Sequence, residues 1–416
     1  MSANNKNLRK LTLAMAFMAA IGGSAQKRIG DFIESRTYNG DKRGIERTLN
    51  YRPEGRDFVC VNGSNEYTRA LYGGYTEYRI ETSDRPIFAV FKKRGHRNVR
   101  FRAIYRGNEY ALEATDWCEA RYSDASRRYV VKHNAWGDAA IYINVVALAD
   151  TEGAVWQFRA EGFDEPLKLK AMVCNIANTK IRRNGDMGAD PPGCFGPAAG
   201  DAGLAATEWD GSGESYFTME GSEIGTVGQD VAAKLFNATV ERNKALASRI
   251  EFNTPDPFIN TLGGALVIAA DGDWDGKTWL HGCVGWRMPL AGWRAGFLSD
   301  VLGWNDRAVS HFDAYAMSQV TNVPPTIPHP SQDPKMNLAR AEKKWGTQMY
   351  SNGYICRNPE RNNQMHHYDM NLNYIDELLW HFAYDADTAY MRKMWPVIKL
   401  HLEWEKRNFD PDNDGL

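Results

Sequence analysis

DVAAKLFNATVERNKALASRIEFNTPDP, running from Asp230 to Pro257, separates two kinds of sequence. Val231, Leu235, Ala238, Arg242, Ala245 and Leu246 recur at helical spacing, with Glu241 and Lys244 turned outward. That pattern predicts a helix over 230–249. Asn253-Thr254-Pro255-Asp256-Pro257 then stops it, because the residue before a proline is pushed toward extended backbone. Upstream of this stretch apolar residues alternate with period two, and downstream they recur with the period of a helix. A domain boundary is therefore read at Pro257.

Upstream, short β-branched and aromatic runs at 86–91, 99–105, 128–132, 139–148 and 155–161 are separated by Gly, Asn and Asp. Ala70-Leu71-Tyr72 ends at Gly73-Gly74, and 75–82 alternates Tyr75, Glu77, Arg79 and Glu81 against Thr76, Tyr78 and Ile80. Many short strands with regular turn signals predict an antiparallel β-sandwich over 26–228. Residues 184–225, rich in Gly, Ala, Asp and Pro, read as a long surface loop or an inserted hairpin.

Downstream, 258–270, 289–302, 306–320, 369–384 and 388–407 read as helices, the last kinked or started at Pro396. Ala291, Gly292, Ala295 and Gly296 permit the second of these to pack closely. Long polar and aromatic loops precede the second and fourth helices, whereas 303–305 and 385–387 are minimal connections. In an up-down arrangement the long loops then open at one end, beside the N-termini of the second and fourth helices, where the helix dipole favours negative charge.

Composition narrows the function. The chain is 43% hydrophobic and 25% charged with net charge −2, which lacks the basic excess of a nucleic-acid binder. Thirteen Trp and nineteen Tyr offer flat apolar faces with a polar handle, suited to sugar rings as well as to a core. Lys6, Arg9 and Lys10 precede the apolar run 11–21 and the small residues Gly22 to Ala25, the order of a secretory signal peptide over 1–25. The mature protein is expected to be secreted or periplasmic, with no stable membrane insertion. Six cysteines form no CxxC and no Cys/His zinc spacing, so buried thiols are expected and no structural zinc site.

Sandwich, linker helix over 229–257, Asn253-Thr254-Pro255-Asp256-Pro257 and helical pairs together resemble bacterial glycosidases of the six-hairpin, (α/α)6-toroid type. Glucoamylase-like and α-L-rhamnosidase-like enzymes share the layout, and exported proteins of gut-bacterial polysaccharide degradation are similar. Gly292-Trp293-Arg294, Tyr368-Asp369-Met370-Asn371, Leu379-Trp380, and Trp404-Glu405-Lys406-Arg407 with Asp412-Asn413-Asp414-Gly415-Leu416 carry the likeness. Six hairpins need twelve helices, about 250 residues. Residues 258–416 hold five, so they are expected to form an incomplete toroid, with some family carboxylates beyond Leu416.

The resemblance implies an exported glycoside hydrolase acting on poly- or oligosaccharide, and such hydrolysis needs two carboxyl groups flanking the bond. Asp369 is the candidate acid; its competing role is a helix N-cap. Asp273 and Asp275, with Trp274 between them, either bind sugar hydroxyls or make the turn before Trp279. Trp286, Trp293 and Tyr368 either stack on a pyranose or pack the interior. Arg287 and Arg294 either bind an acidic sugar or pair with nearby Asp. His281, His366 and His367 either hydrogen-bond substrate or satisfy the core, and a metal is not expected at them. Asp410, Asp412 and Asp414 resemble the first half of a calcium loop, with a tight acidic turn as the plainer reading. The expected pocket is lined by Trp286, Arg287, His366, Tyr368 and Asp369. A polysaccharide lyase, recasting His366, Tyr368 and Arg287, and a non-catalytic carbohydrate-binding protein are the competing readings. The sandwich-first order favours the hydrolase.

Overall fold

The structure, a computed structural model, describes residues 37–38, 47–48, 51–75, 77–92, 95–177, 195–198, 203–281, 287–292, 295–327, 343–366 and 369–415. The proposed signal segment lies outside them. The chain divides into a first unit, Met1–Gly74 with Tyr78–Ile268, and a second, Tyr75–Glu77 with Ala269–Leu416.

Two antiparallel sheets make up the first unit, after a short ribbon of β1 (Thr37–Tyr38) and β2 (Arg47–Thr48). One sheet runs β3 (Arg52–Glu54), β4 (Asp57–Val61), β10 (Trp117–Ser123), β11 (Ser126–Lys132), β12 (Ala140–Ala147), β13 (Gly153–Glu161), β16 (Glu214–Glu220) and β17 (Glu223–Ile224). The other runs β5 (Arg69–Tyr72), β6 (Arg79–Thr82), β7 (Ile87–Phe91), β8 (Arg97–Tyr105), β14 (Lys168–Asn175) and β15 (Ala205–Asp210), with β9 (Asn108–Ala111) folded back on β8. Period-two alternation puts one row of each strand inside. Phe88 and Phe101 of the second sheet meet Tyr129, Trp156 and Phe217 of the first, at centroid distances of 5.3 to 5.8 Å. The sheets thus share one apolar core, and the expected antiparallel β-architecture is present.

One charged network lies inside that core. Arg127 is buried, donates to the Ser83 carbonyl (3.0 Å) and to the Tyr51 hydroxyl, and stands 3.7 Å from the buried Asp84. Asp84 also accepts from the Asn65 amide and side chain, both at 3.0 Å. Burial pushes the Tyr51 hydroxyl up to about 12. Cys60, Cys118, Cys174 and Cys356 are buried thiols.

Several sequence expectations need correction. Residues 205–224 are neither surface loop nor hairpin insertion: β15 edges one sheet, while β16 lies inside the other between β13 and β17. The Gly- and Ala-rich sequence around them hid them, although Tyr216, Phe217 and Met219 of β16 are buried. The 75–82 strand starts only at Arg79, and before it Gly73 and Gly74 pass so close to another segment that a Cβ would fall 1.9 Å from the Leu148 carbonyl oxygen or 1.7 Å from that of Ala149. Nor is the helix before the Pro-rich stretch a free linker. As α1 (Gln229–Ala247), it lays Ala232 and Phe236 on Val146, Leu148, Val155 and Tyr216, covering the outer face of the first sheet.

The helices that follow are α2 (Pro257–Gly272), α3 (Ala295–Val301), α4 (Asn305–Ala316), α5 (Asp369–Asp385) and α6 (Thr388–Phe409). The division between units falls inside α2, after Ile268, later than the boundary read at Pro257. α3 is shorter than predicted because Pro289 pairs with Leu280 in a β-bridge before the helix can start. α4 ends at Ala316, where Met317 to Gln319 turn toward a bridge between Gln319 and Ile355. Pro396 sits inside a continuous α6 rather than starting it.

Helices α3 and α5 run side by side in the same direction. Gly292 abuts Tyr374, where a Cβ would lie 2.2 Å from the amide nitrogen. One turn on, the Gly296 amide donates to the Glu377 carboxylate (2.8 Å), capping α3. Asp300 then meets His381 (2.8 Å), and Asn305 meets Asp385 (2.9 Å). α4 is antiparallel to α5, with the Tyr374 hydroxyl on the Phe312 carbonyl (2.7 Å). Gly292 and Gly296 therefore do what their size permits. Leu379, Trp380 and Tyr384 remain exposed on α5. No helix among the described residues is long and apolar enough to cross a membrane.

Candidate functional site

The segment after α2 is an ordered ribbon rather than an open loop. Asp275 accepts from the amides of Lys277 (2.8 Å) and Thr278 (2.6 Å), making a tight turn in which Gly276 takes φ +98°. The turn closes on a bridge between Trp274 and Trp279, and the Leu280 amide then donates to the Asp273 carbonyl (2.8 Å). His281 continues the ribbon, its amide donating to the Met288 carbonyl (2.9 Å).

Two buried side chains of α4 fasten this ribbon. Arg307 pairs with the buried Asp271 (2.9 Å), and its guanidinium lies 4.0 Å from the ring centre of Trp304 and 5.4 to 5.7 Å from those of Trp274, Tyr75 and Trp279. His311 accepts from the Trp279 amide through Nδ1 (3.1 Å) and donates from Nε2 to the Ala291 carbonyl (2.8 Å). This arrangement requires a neutral ring with the proton on Nε2.

Burial holds the His311 ring down at about 4. Unfolded, the same ring takes up its proton near 6.5. Between those values the unfolded chain binds the extra proton, so stability falls as pH drops from about 6.5 to about 4, then levels. The second unit should lose roughly 3 kcal/mol across that window. Denaturation midpoints measured across it should show the slope, and His311→Gln should flatten it.

The ribbon and a second segment form opposite walls of a cleft of about 650 Å³. Asp275, Leu280, Arg287 and Pro289 line one side, Asn358 to Arg361 the other, and Tyr75 with Glu77 completes it. Arg287 donates to the carbonyls of Gly272 (2.7 Å) and Tyr75 (3.2 Å), fixing Tyr75 with its ring half-exposed. Across the cleft, Lys277 pairs with Glu360. Glu360 sits at φ +60°, held there by its amide on the Ala314 carbonyl (2.8 Å). Arg357 ties the walls together through Met288 Sδ (3.1 Å) and the Pro289 carbonyl (3.4 Å). Nearby, the Ile355 amide meets Asn371 Oδ1 (2.5 Å) in the first turn of α5. The segments before α3 and α5 thus converge, as the loop-length argument expects.

Of the predicted site residues, Asp275 and Arg287 line this cleft. Trp274 does not: it is buried against Trp279 and Arg307, so its ring packs the ribbon instead of meeting a sugar. Asp273 and His281 are half-buried and serve the ribbon's backbone pairing. His366 lies apart from the lining, its amide donating to the Tyr354 hydroxyl (2.7 Å) and its carbonyl accepting from Tyr350 (3.1 Å). Trp286, Trp293, Arg294, His367 and Tyr368 lie outside the described residues, as does the side chain of Asp369, whose backbone starts α5. The carboxylates of Asp410, Asp412 and Asp414 lie within 4.8 Å of one another, and Asp410 accepts from the Gly415 amide (3.1 Å), which is a tight acidic turn.

Sequence reasoning missed Tyr75, Glu77, Asn358, Glu360 and Arg361 as cleft residues, and Arg307 and His311 as its supports. Gly73-Gly74 was the available signal for the first two, since paired glycines break a strand pattern.

Comparison with known proteins adds little about this cleft. A family model described as a domain of unknown function (DUF4450) matches residues 95–200, which lie within the first unit. No curated protein matches the chain.

Proposed function

We propose that the protein is an exported glycoside hydrolase acting on poly- or oligosaccharide, with a β-sandwich followed by part of an (α/α)6 toroid. The observation that carries this reading is the cleft of the second unit. One half-exposed ring, Tyr75, shares it with three carboxylates, Glu77, Asp275 and Glu360, and two guanidinium groups, Arg287 and Arg361. A pyranose needs an apolar face to stack on and a surround of charged hydrogen-bonding groups, and the cleft offers both at a size usual for ligand sites. The parallel course of α3 and α5 supports the toroid reading, since it brings two helix N-termini to one end.

In the proposed mechanism Asp369, at the start of α5, gives a proton to the leaving oxygen, and a second carboxylate activates water or attacks the sugar carbon. That chemistry calls for no cofactor. Product analysis on a panel of glycans tests the activity, and two variants test the parts. Asp369→Asn should lower kcat at least ~100-fold, as loss of a general acid does. Tyr75→Ala should raise KM up to ~10-fold with kcat little changed, because the stacking face is lost while Arg307 keeps its Asp271 and Trp contacts. Unsaturated uronide products would instead identify a lyase, and binding with no turnover a non-catalytic sugar-binding protein. Unchanged kcat in Asp369→Asn would reduce Asp369 to a helix cap.

A further inference from the structure

We propose that the first unit carries a second ligand site, a pocket for one neutral hexopyranose ring. It lies where the β10–β11 turn, residues 250–252 and the first turns of α2 meet, and Arg56, Phe58, Asp124, Glu251, Phe252 and Asn260 line it. Its volume of about 180 Å³ equals six waters at ~30 Å³ each, which suits a single ring rather than a chain of sugars.

The chemistry of the walls selects the ligand. Phe58 and the part-exposed Phe252 are apolar, while Arg56 spans the mouth, 3.2 Å from Asp124 and 3.4 Å from Glu251. An anion entering there meets two carboxylates, and a cation meets the guanidinium. A wholly apolar molecule strips water from all three charges without replacing it. A pyranose has an apolar face for the aromatic wall and hydroxyls that both donate and accept at the mouth. Exposed ion pairs of this kind contribute little, so trading them for hydroxyl contacts costs little.

Backbone strain gives an independent indication. Asp124 and Ala125 occupy consecutive left-handed positions, φ +50° and +49°, in the two-residue turn between Ser123 and Ser126. Asn-Gly is the favoured pair for such a turn. Here the Ala125 methyl is buried against Ala247 and Ile268, which holds the turn in place and keeps the Asp124 carboxylate at the pocket mouth. Such strain persists where packing over-determines it, and it clusters at binding sites. Asn260 meanwhile spends its amide on Thr254, accepting from its amide (2.8 Å) and hydroxyl (3.0 Å) and donating to its carbonyl (3.0 Å), which fixes the turn that follows residues 250–252.

The inference does not depend on hydrolysis in the cleft, and its test keeps the two apart. Saturation-transfer NMR on the purified protein, with methyl α- and β-D-hexopyranosides as probes, should show binding at about millimolar Kd, the range open to so small a ligand. Phe252→Ala and Glu251→Gln should each weaken it, the first about tenfold, as expected for loss of an aromatic contact. Tyr75→Ala should leave it unchanged. Two results would overturn the proposal: no hexopyranoside binding at tens of millimolar, or binding that survives both pocket variants and is lost in Tyr75→Ala. Should Phe252→Ala fail to fold, the exposed Glu251→Gln decides alone. Failure of every glycan to be cleaved while pocket binding persists would count against the hydrolase reading only.

Discussion

Arg307→Ala is expected to cost the second unit about 3 to 5 kcal/mol, the usual penalty for removing one partner of a buried ion pair. Asp271, 4% exposed, would keep its buried carboxylate and lose the cation 2.9 Å away. The guanidinium also fills the space among Trp274, Trp279, Trp304 and Tyr75, so the aromatic ribbon would slacken with it. Thermal unfolding should show the effect as a fall of roughly 10 °C in the transition of that unit. Arg307→Lys should recover only part, because an ammonium keeps the charge and loses the planar stacking. Arg307→Met combined with Asp271→Leu should recover most of it, since an apolar pair of similar volume leaves no charge uncompensated. A single variant as stable as the double would show that the pair is not coupled.

The first unit should respond as strongly to Arg127→Leu. Arg127 and Asp84 are both fully shielded from solvent, and Asp84 would retain Asn65 and Tyr51 as donors without its cation. A loss of about 3 to 5 kcal/mol follows by the same reasoning. The denaturant midpoint should drop with an unchanged m-value, as for a lost interaction in an otherwise intact fold. Asp84→Asn in the Arg127→Leu background should restore much of the midpoint. If the single variant loses less than about 1 kcal/mol, water reaches Asp84 and the site is not dry.

The strands of the sandwich were legible because Val99 to Tyr105 alternates regularly and Val155 to Glu161 is a short β-branched and aromatic run bounded by turn signals. β15 and β16 were not, because Gly and Ala around them read as a loop and their partners β14 and β13 lie far back in the chain. Helices were read well where apolar periodicity was long, as in α5 and α6, and overextended at 289–302, where Pro289 is committed to a β-bridge. In the cleft, Asp275 and Arg287 were legible from their company of Trp and Gly. Glu360 was not, since it reaches the cleft through a backbone contact with no local signature, the Ala314 carbonyl, and Tyr75 had only the break at Gly73-Gly74 to mark it before Arg287 fixes its carbonyl. Trp274 stands in a stretch whose sequence left sugar binding and turn formation both open; its buried ring packs on Trp279 beside the Arg307 guanidinium.

The way the chain passes back and forth between the two sheets also governs how the protein can be made. Val61 lies opposite Glu119, Val99 opposite Val173, and Trp156 opposite Phe217, so strands synthesised early wait for partners synthesised much later. A nascent chain that has not yet delivered 214–220 to solution exposes the edge of β13 and the core side of Trp156 together. Pairings so distant in sequence form slowly, and open edges of this kind invite association with other chains. Folding of this unit therefore waits until residue 220 has emerged: fragments ending before it should collect as aggregates, and the protein's yield should track chaperone supply while the last strands are still emerging.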